Sequence, residues 1–312
     1  MDICSLLTMT LRHAGPIILV AMGGLLASKV GIFNLALEGF MLIGAFASIV
    51  GAGFTENVWI GVLCGVAAST AMILVYAVFI IELKVQPVVC AVSIITLASG
   101  LTRYLLNPIF GVSGRYVLSS ALAMPTVSMP WIENIPFIGK ILNNHSAIVY
   151  FALVLPFVLK FIMDKTKLGL DIQAVGLNTD AAVSAGINER RLKYLSLILN
   201  GILCGLGGAE LALSVYMFNV GMTNGRGYTA LAAITLSNGQ PVLALGTCFL
   251  FGLAESLVVA LSSVGISSYL LGMLPYFLAL LAAILPQAVR LLMNYSRKMK
   301  AEKRAISKFG NL

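Results

Sequence analysis

The sequence predicts an all-α protein: a polytopic membrane helix bundle of about nine crossings, one of them made by a short discontinuous helix. Three observations predict it. The 312 residues are 59% hydrophobic and 10% charged, with a mean hydropathy of +0.98, whereas a soluble domain is about 45–50% apolar and about 25% charged. Apolar runs close to the roughly 20 residues that cross a bilayer recur along the chain. Basic residues are concentrated in two polar segments beside such runs, the asymmetry that marks a cytoplasmic side.

The composition excludes a water-soluble globular enzyme, because a globule this apolar could not cover itself with polar surface. It also excludes a disordered chain. Ten-residue alternating strands are absent, so the spans are helices and not a barrel. The net charge of +8 is explained by the membrane and not by nucleic acid. Cys4, Cys64, Cys90, Cys204 and Cys248 are scattered singly, with no C-x-x-C, and read as small buried hydrophobes without a disulfide framework or metal site. Met1 to Thr10 carries neither a basic n-region nor an A-x-A site, so no cleaved signal peptide is expected.

Along the chain, apolar runs at 14–28, 39–53, 58–81 and 87–106 are expected to span. Residues 108–144 hold Pro108, Gly111, Gly114, Pro125, Pro130, Pro136 and Gly139 and read as a long loop. Residues 145–163 span, 164–193 are polar, 194–217 span, 226–239 form a short apolar piece, and 241–262 and 269–289 span. Residues 290–312 form a basic tail. The segment 160–193 and the tail hold 13 of the 20 Lys and Arg residues, so both are assigned to the cytoplasm. An even number of crossings must separate them. Three full-length spans lie between, so 226–239 must complete a fourth. Fourteen helical residues reach only about 21 Å against a core of about 30 Å, so the rest of that crossing must be the irregular stretch Gly221 to Gly227. Irregular backbone at that depth is tolerated inside protein or against a watery cavity. The count puts the N-terminus and the 108–144 loop outside. The whole chain, 1–312, reads as one transmembrane domain.

Ionisable residues within spans mark functional sites by default. Here they are Lys29, Glu38, Arg103, Glu210, Arg226 and Glu255. Lys29 and Arg103 lie near span ends, where they can snorkel. Glu210 and Glu255 either tie helices together or line a cavity. Asn34 and Glu38 are four apart and share a helical face, or they mark a capped helix start. The break at Gly221–Gly227 and the Asn34–Glu38 segment are expected to border one cavity. Phe33, Phe40 and Tyr228 would offer it apolar faces, and Asn34, Asn224 and Glu38 polar groups. Gly201-x-x-x-Gly205, Gly208-x-x-x-Ala212 and Gly61-x-x-x-Gly65 predict closely packed helices.

Residues 177–187 read as a complete short helix. Asn178 or Thr179 caps its start, Asp180 meets the positive dipole end, and Gly186 stops it in the left-handed conformation. Two turns are not stable alone, so the small face of Ala181, Ala182 and Ala185 is expected to dock, either on the protein's own cytoplasmic face or on a partner subunit. No P-loop, H-E-x-x-H or G-x-S-x-G occurs, and with His13 and His145 as the only histidines no enzymatic chemistry and no cofactor are expected.

These segments resemble a known family. Gly31-Ile32-Phe33-Asn34-Leu35-Ala36-Leu37-Glu38-Gly39-Phe40-Met41-Leu42-Ile43-Gly44-Ala45 is similar to the G-x-x-N-x-x-x-E-G-x-M-x-x-G-A signature of ABC transporter permeases. The branch is the nucleoside and simple-sugar one of the branched-chain amino acid/ribose permease family. Gly176-x-Asn178-x-x-Ala181-Ala182-x-x-x-Gly186-Ile187 resembles its coupling loop. Ser99-Gly100-Leu101-Thr102 with Phe110-Gly111-Val112-Ser113-Gly114, and Gly225-x-Gly227-Tyr228 through Pro241, resemble two further segments. The chain departs at Val92 to Thr96, where the branch has Gly and Asn. The resemblance implies a plasma-membrane permease with no cofactor of its own, contacting cytoplasmic ATPase subunits through Gly176 to Ile187. It also implies a second, homologous permease subunit and an extracytoplasmic binding lipoprotein that delivers a nucleoside or simple sugar. An ion-coupled secondary transporter, with Glu210 and Glu255 as coupling carboxylates, is the alternative.

Overall fold

The computed structural model describes residues 3–128 and 138–262, together with Gly272, Met273 and Phe277. Eleven α-helices order this part of the chain: α1 (Ile3–Lys29), α2 (Leu37–Thr55), α3 (Val58–Ala77), α4 (Pro87–Phe110), α5 (Ile138–Leu142), α6 (Ala147–Lys165), α7 (Lys167–Leu177), α8 (Thr179–Ser184), α9 (Glu189–Leu213), α10 (Arg226–Leu236) and α11 (Pro241–Ser262). A π-turn, Val78–Glu82, extends α3. Among the described residues seven helices are long and apolar enough to cross a membrane: α1, α2, α3 with its π-turn, α4, α6, α9 and α11. That is a coarser result than the nine expected. The short crossing expected at 226–239 corresponds to α10, whose 11 residues extend only about 16 Å. The ninth, 269–289, lies almost wholly outside the described residues.

The chain also departs from purely helical structure. Arg115–Val117 (β1) pairs antiparallel with Met217–Asn219 (β4), and Thr126–Val127 (β2) with His145–Ser146 (β3). The expected loop is therefore pinned to the ends of two spans. α9 stops at Leu213, and a three-residue turn leads into β4, so the helix ends earlier than the span predicted to reach residue 217.

The core sits where α1, α2, α3 and α9 meet. Residues Ala14 to Ala27 of α1 are buried almost without exception. The glycine-rich stretch of α9 explains how the other helices come so close. A Cβ added at Gly205 would lie 2.6 Å from Val66 Cα, one at Gly44 would lie 2.9 Å from Gly205 Cα, and one at Gly208 would collide with the Met41 carbonyl. Without side chains between them, backbones pack on backbones, which is how helices associate when lipid removes the hydrophobic drive. α3, α4 and α6 instead leave Leu63, Val92, Leu97, Phe151 and Phe161 exposed, as lipid-facing or subunit-facing helices do.

Candidate functional site: a short helix gripped by Glu38

α10 begins where the backbone turns and leaves two amides, those of Gly225 and Gly227, without a backbone acceptor. Asn224 (φ 43°) and Gly225 (φ 82°) are both left-handed, and Gly225 is the N-cap, without a side-chain cap of its own. The amides are satisfied from across the bundle. Glu38, in the first turn of α2, accepts from the Gly225 N–H through Oε1 (2.9 Å) and from the Gly227 N–H through Oε2 (2.7 Å). A helix N-terminus favours an anion, because its amides point outward and its dipole is positive there. Glu38 supplies that anion. Any side chain at 227 would strike the Glu38 backbone, so glycine is required for the approach.

The turn before α2 aims Glu38. Asn34 is buried, and its Oδ1 accepts from the Ala36 N–H at 2.9 Å, an Asx-type turn that starts the helix. Its Nδ2 is buried without a partner.

A cavity of about 220 Å³ opens beside α10, lined on one side by His13, Asn224, Arg226, Thr229 and Glu255 and on the other by Val258, Val259 and Gly272. Arg226 Nη2 donates to Glu255 Oε2 at 2.5 Å, and Nη1 donates to the Met222 carbonyl at 3.1 Å. His13 Nδ1 stands 3.6 Å from the same carboxylate oxygen. Arg226 Nε is buried and unpartnered. Glu255 and Arg226 stood out in the sequence as ionisable groups within spans. His13 did not, although a lone imidazole in an apolar run is the same kind of signal. Glu210 lies elsewhere, buried on α9 with Oε2 unpartnered.

The structure brings some of the expected residues together and separates others. Glu38 is brought onto Gly225 and Gly227. Asn224 lines the cavity beside α10, whereas Phe33 lines a different one, of about 350 Å³, with Lys29, Gln173, Gly176 and Leu177. Phe40 is fully buried and meets Tyr76 edge-on at 5.7 Å, so it is a core residue here and offers no face to a solute. Tyr228 is 43% exposed.

The 177–187 helix forms as α8. Asn178 Oδ1 accepts from the Ala181 N–H at 3.0 Å. At the other end Gly186 (φ 82°) donates to the Val183 carbonyl and Ile187 to the Ala182 carbonyl, the paired bonds of a Schellman stop. The three alanines do not share one outward face, as expected, because Ala182 turns inward and is buried, while Ala181 and Ala185 are exposed with Asp180 and Val183. Gly176, just before α8, abuts the Lys29 carbonyl so closely that no Cβ fits, and it stands 3.2 Å from the Gly31 nitrogen by the same measure. α8 is therefore anchored to the end of α1, and Asn188 caps the start of α9 after it (Arg191 N–H to Oδ1, 3.0 Å).

Residues 6–285 match a family model described as the branched-chain amino acid transport system permease component. The chain is 33% identical over 90% of its length, and 93% of the other protein's, to the guanosine ABC transporter permease NupQ of Bacillus subtilis. It is 30% identical over 88% of its length, and 90% of the other's, to the nucleoside ABC transporter permease NupC of Lactococcus lactis. A protein of Haloferax volcanii assigned as a glucose ABC transporter permease is 33% identical over 84% of this chain and 79% of its own.

Proposed function

The chain belongs to the permease component family of branched-chain amino acid ABC transport systems, and from that premise we propose that it forms half of a translocation path for a nucleoside or a simple sugar. It is a multi-pass permease of the plasma membrane; its relatives are transport permeases and not enzymes. In the proposed assembly two cytoplasmic ATPase subunits drive the permease pair, one of them seated on α8 of this chain through Asn178, Asp180, Ala181, Ala185 and Gly186, with Gly176, Ala182 and Ile187 holding that helix in place. A second, homologous permease completes the path, and an extracytoplasmic lipoprotein delivers the solute. The 108–144 segment faces outward, 164–193 and the 290–312 tail face the cytoplasm, and α10 with its irregular approach makes one of about nine crossings. Asn224 stands at the wall of the path with Tyr228 near it, Glu38 and Asn34 hold the short helix and the turn before α2 in place behind it, and Phe33 and Phe40 stand away from it.

The observation that carries this reading is α10 itself. A helix too short to cross, gripped by Glu38 and opening on a cavity where His13, Asn224, Arg226 and Glu255 converge, has the form of the discontinuous elements that build solute sites in membranes. The ion-coupled alternative loses its ground, since Glu255 is already paired with Arg226 and the family is ATP-driven. The test is uptake of radiolabelled guanosine and glucose into proteoliposomes holding the permease pair, the ATPase and the lipoprotein. Uptake of either solute is expected to require ATP. ATP-independent uptake that follows a proton or sodium gradient would refute the proposal.

A further inference from the structure

We propose that Glu255, Arg226 and Asn224 form a recognition site for adjacent hydroxyls of a furanose or pyranose ring. The inference rests on the nucleoside-or-sugar reading above and gives it an address. Three observations carry it. First, the cavity of about 220 Å³ is smaller than the roughly 300–1,000 Å³ of pockets that enclose whole drug-sized ligands. It suits one sugar ring, not a ring with a base attached. Second, its polar groups come from three separate stretches of chain, α1 (His13), the α10 start (Asn224, Arg226, Thr229) and α11 (Glu255), and converge on one space. Third, their bonding is incomplete. Glu255 Oε2 accepts from Arg226 and faces His13, while among the described residues no hydrogen bond reaches Oε1. Arg226 donates from Nη2 to Glu255 and from Nη1 to the Met222 carbonyl, and each terminal nitrogen keeps a second N–H.

A vicinal diol meets those needs. One hydroxyl donates to the carboxylate, and its neighbour's oxygen accepts from a guanidinium or amide N–H. A carboxylate beside a guanidinium offers both roles with full charge assistance. An apolar solute, or a ring stripped of its hydroxyls, would leave the pair desolvated and unrewarded, and such unmet polar groups are the strongest source of discrimination between similar solutes. Thr229 is not a primary contact, because its hydroxyl donates to the Arg226 carbonyl at 2.9 Å and so stiffens the α10 start. Glu255 lies 14 residues into α11 from Pro241, about 21 Å from that helix's start. On the proposed orientation this is the extracytoplasmic half of the membrane, where a delivered solute arrives.

The experiment compares uptake of guanosine with 2′,3′-dideoxyguanosine, and of glucose with 2-deoxyglucose, in the complete reconstituted transporter. Intact permease is expected to favour the hydroxylated member by about tenfold or more, the size of one or two hydrogen bonds to a charged group. Glu255→Gln weakens the carboxylate's part, and the preference is expected to fall to within about twofold. Asn224→Gly keeps the left-handed backbone and removes only the amide, so it is the variant that does not threaten folding; it is expected to lower the preference by several-fold. A purely structural role for these residues would depress both members of each pair alike and leave the ratio unchanged. An unchanged ratio in both variants, with guanosine or glucose still imported, overturns the site alone. Intact permease that imports neither solute overturns the functional reading and the site with it.

Discussion

The grip of Glu38 on α10 gives a prediction whose size follows from the geometry. In Gly227→Ala the new Cβ would lie 2.5 Å from Glu38 Cα and 2.8 Å from its Oε2, whereas carbon atoms rest at about 3.5–4.0 Å. Both partners are backbone or tightly held, so α10 must retreat by roughly 1 Å. Bonds now at 2.9 and 2.7 Å would then exceed the ~3.2 Å limit of a good N–H···O contact. A hydrogen bond to a charged group contributes about 1.5–3 kcal/mol, so losing both costs about 3–6 kcal/mol. Glu38→Ala removes the same two bonds from the other side. The two changes therefore cannot add, and the double variant is expected to cost about as much as the worse single one. Glu38→Gln keeps one acceptor and turns an N–H₂ toward the other amide, so it falls between. The assays are the thermal midpoint of the purified permease and ATP-driven uptake in proteoliposomes, with membrane insertion as the control. Uptake by Gly227→Ala within twofold of the intact permease, or costs that sum in the double variant, would show that the grip does not hold α10.

Two further predictions concern the cytoplasmic face and the topology. Ala185→Trp, on the outward side of α8, is expected to abolish ATP-driven uptake and ATPase capture while the permease still inserts normally. Ala182→Trp, whose Cβ is buried, is expected to destabilise the permease itself, and Gly186→Val is expected to impair uptake because a β-branched residue is strained at φ 82°. Full uptake by both Ala185→Trp and Gly186→Val would remove α8 as the docking element. On a background without native cysteines, Ser120→Cys is expected to react with an impermeant thiol reagent in intact cells, and Ser184→Cys only after permeabilisation; the reverse pattern would overturn the orientation drawn from Lys and Arg.

What could be read in the sequence is what is written locally. Each spanning helix carries its own apolar run, so seven of the expected spans were legible from runs of about 20 residues. The glycines of 201–208 announced a buried helix, since nothing else needs so many small residues in a row. The ends of α8 were legible because Asn178 and Gly186 bond within three to five residues of themselves. The pairings that build the site were not. Glu38 reaches Gly225 across 187 positions and Gly227 across 189, and β1 finds β4 about a hundred residues on; no periodicity encodes such a partner. Phe40 misled for a related reason, because an aromatic ring in the first turn of an apolar helix looks the same whether it faces a solute or Tyr76. Yet the polar bookkeeping of a membrane narrows the choice. A carboxylate within the bundle must find donors, and helical amides are already spent on their own carbonyls. Donors remain only where backbone is released from helix, and Gly221 to Gly227 is a glycine-rich break that parity had already placed at membrane depth. Glu38 and that break were each visible alone. Their bond is the joint that the two unmet requirements, an anion without donors and amides without an acceptor, resolve in each other.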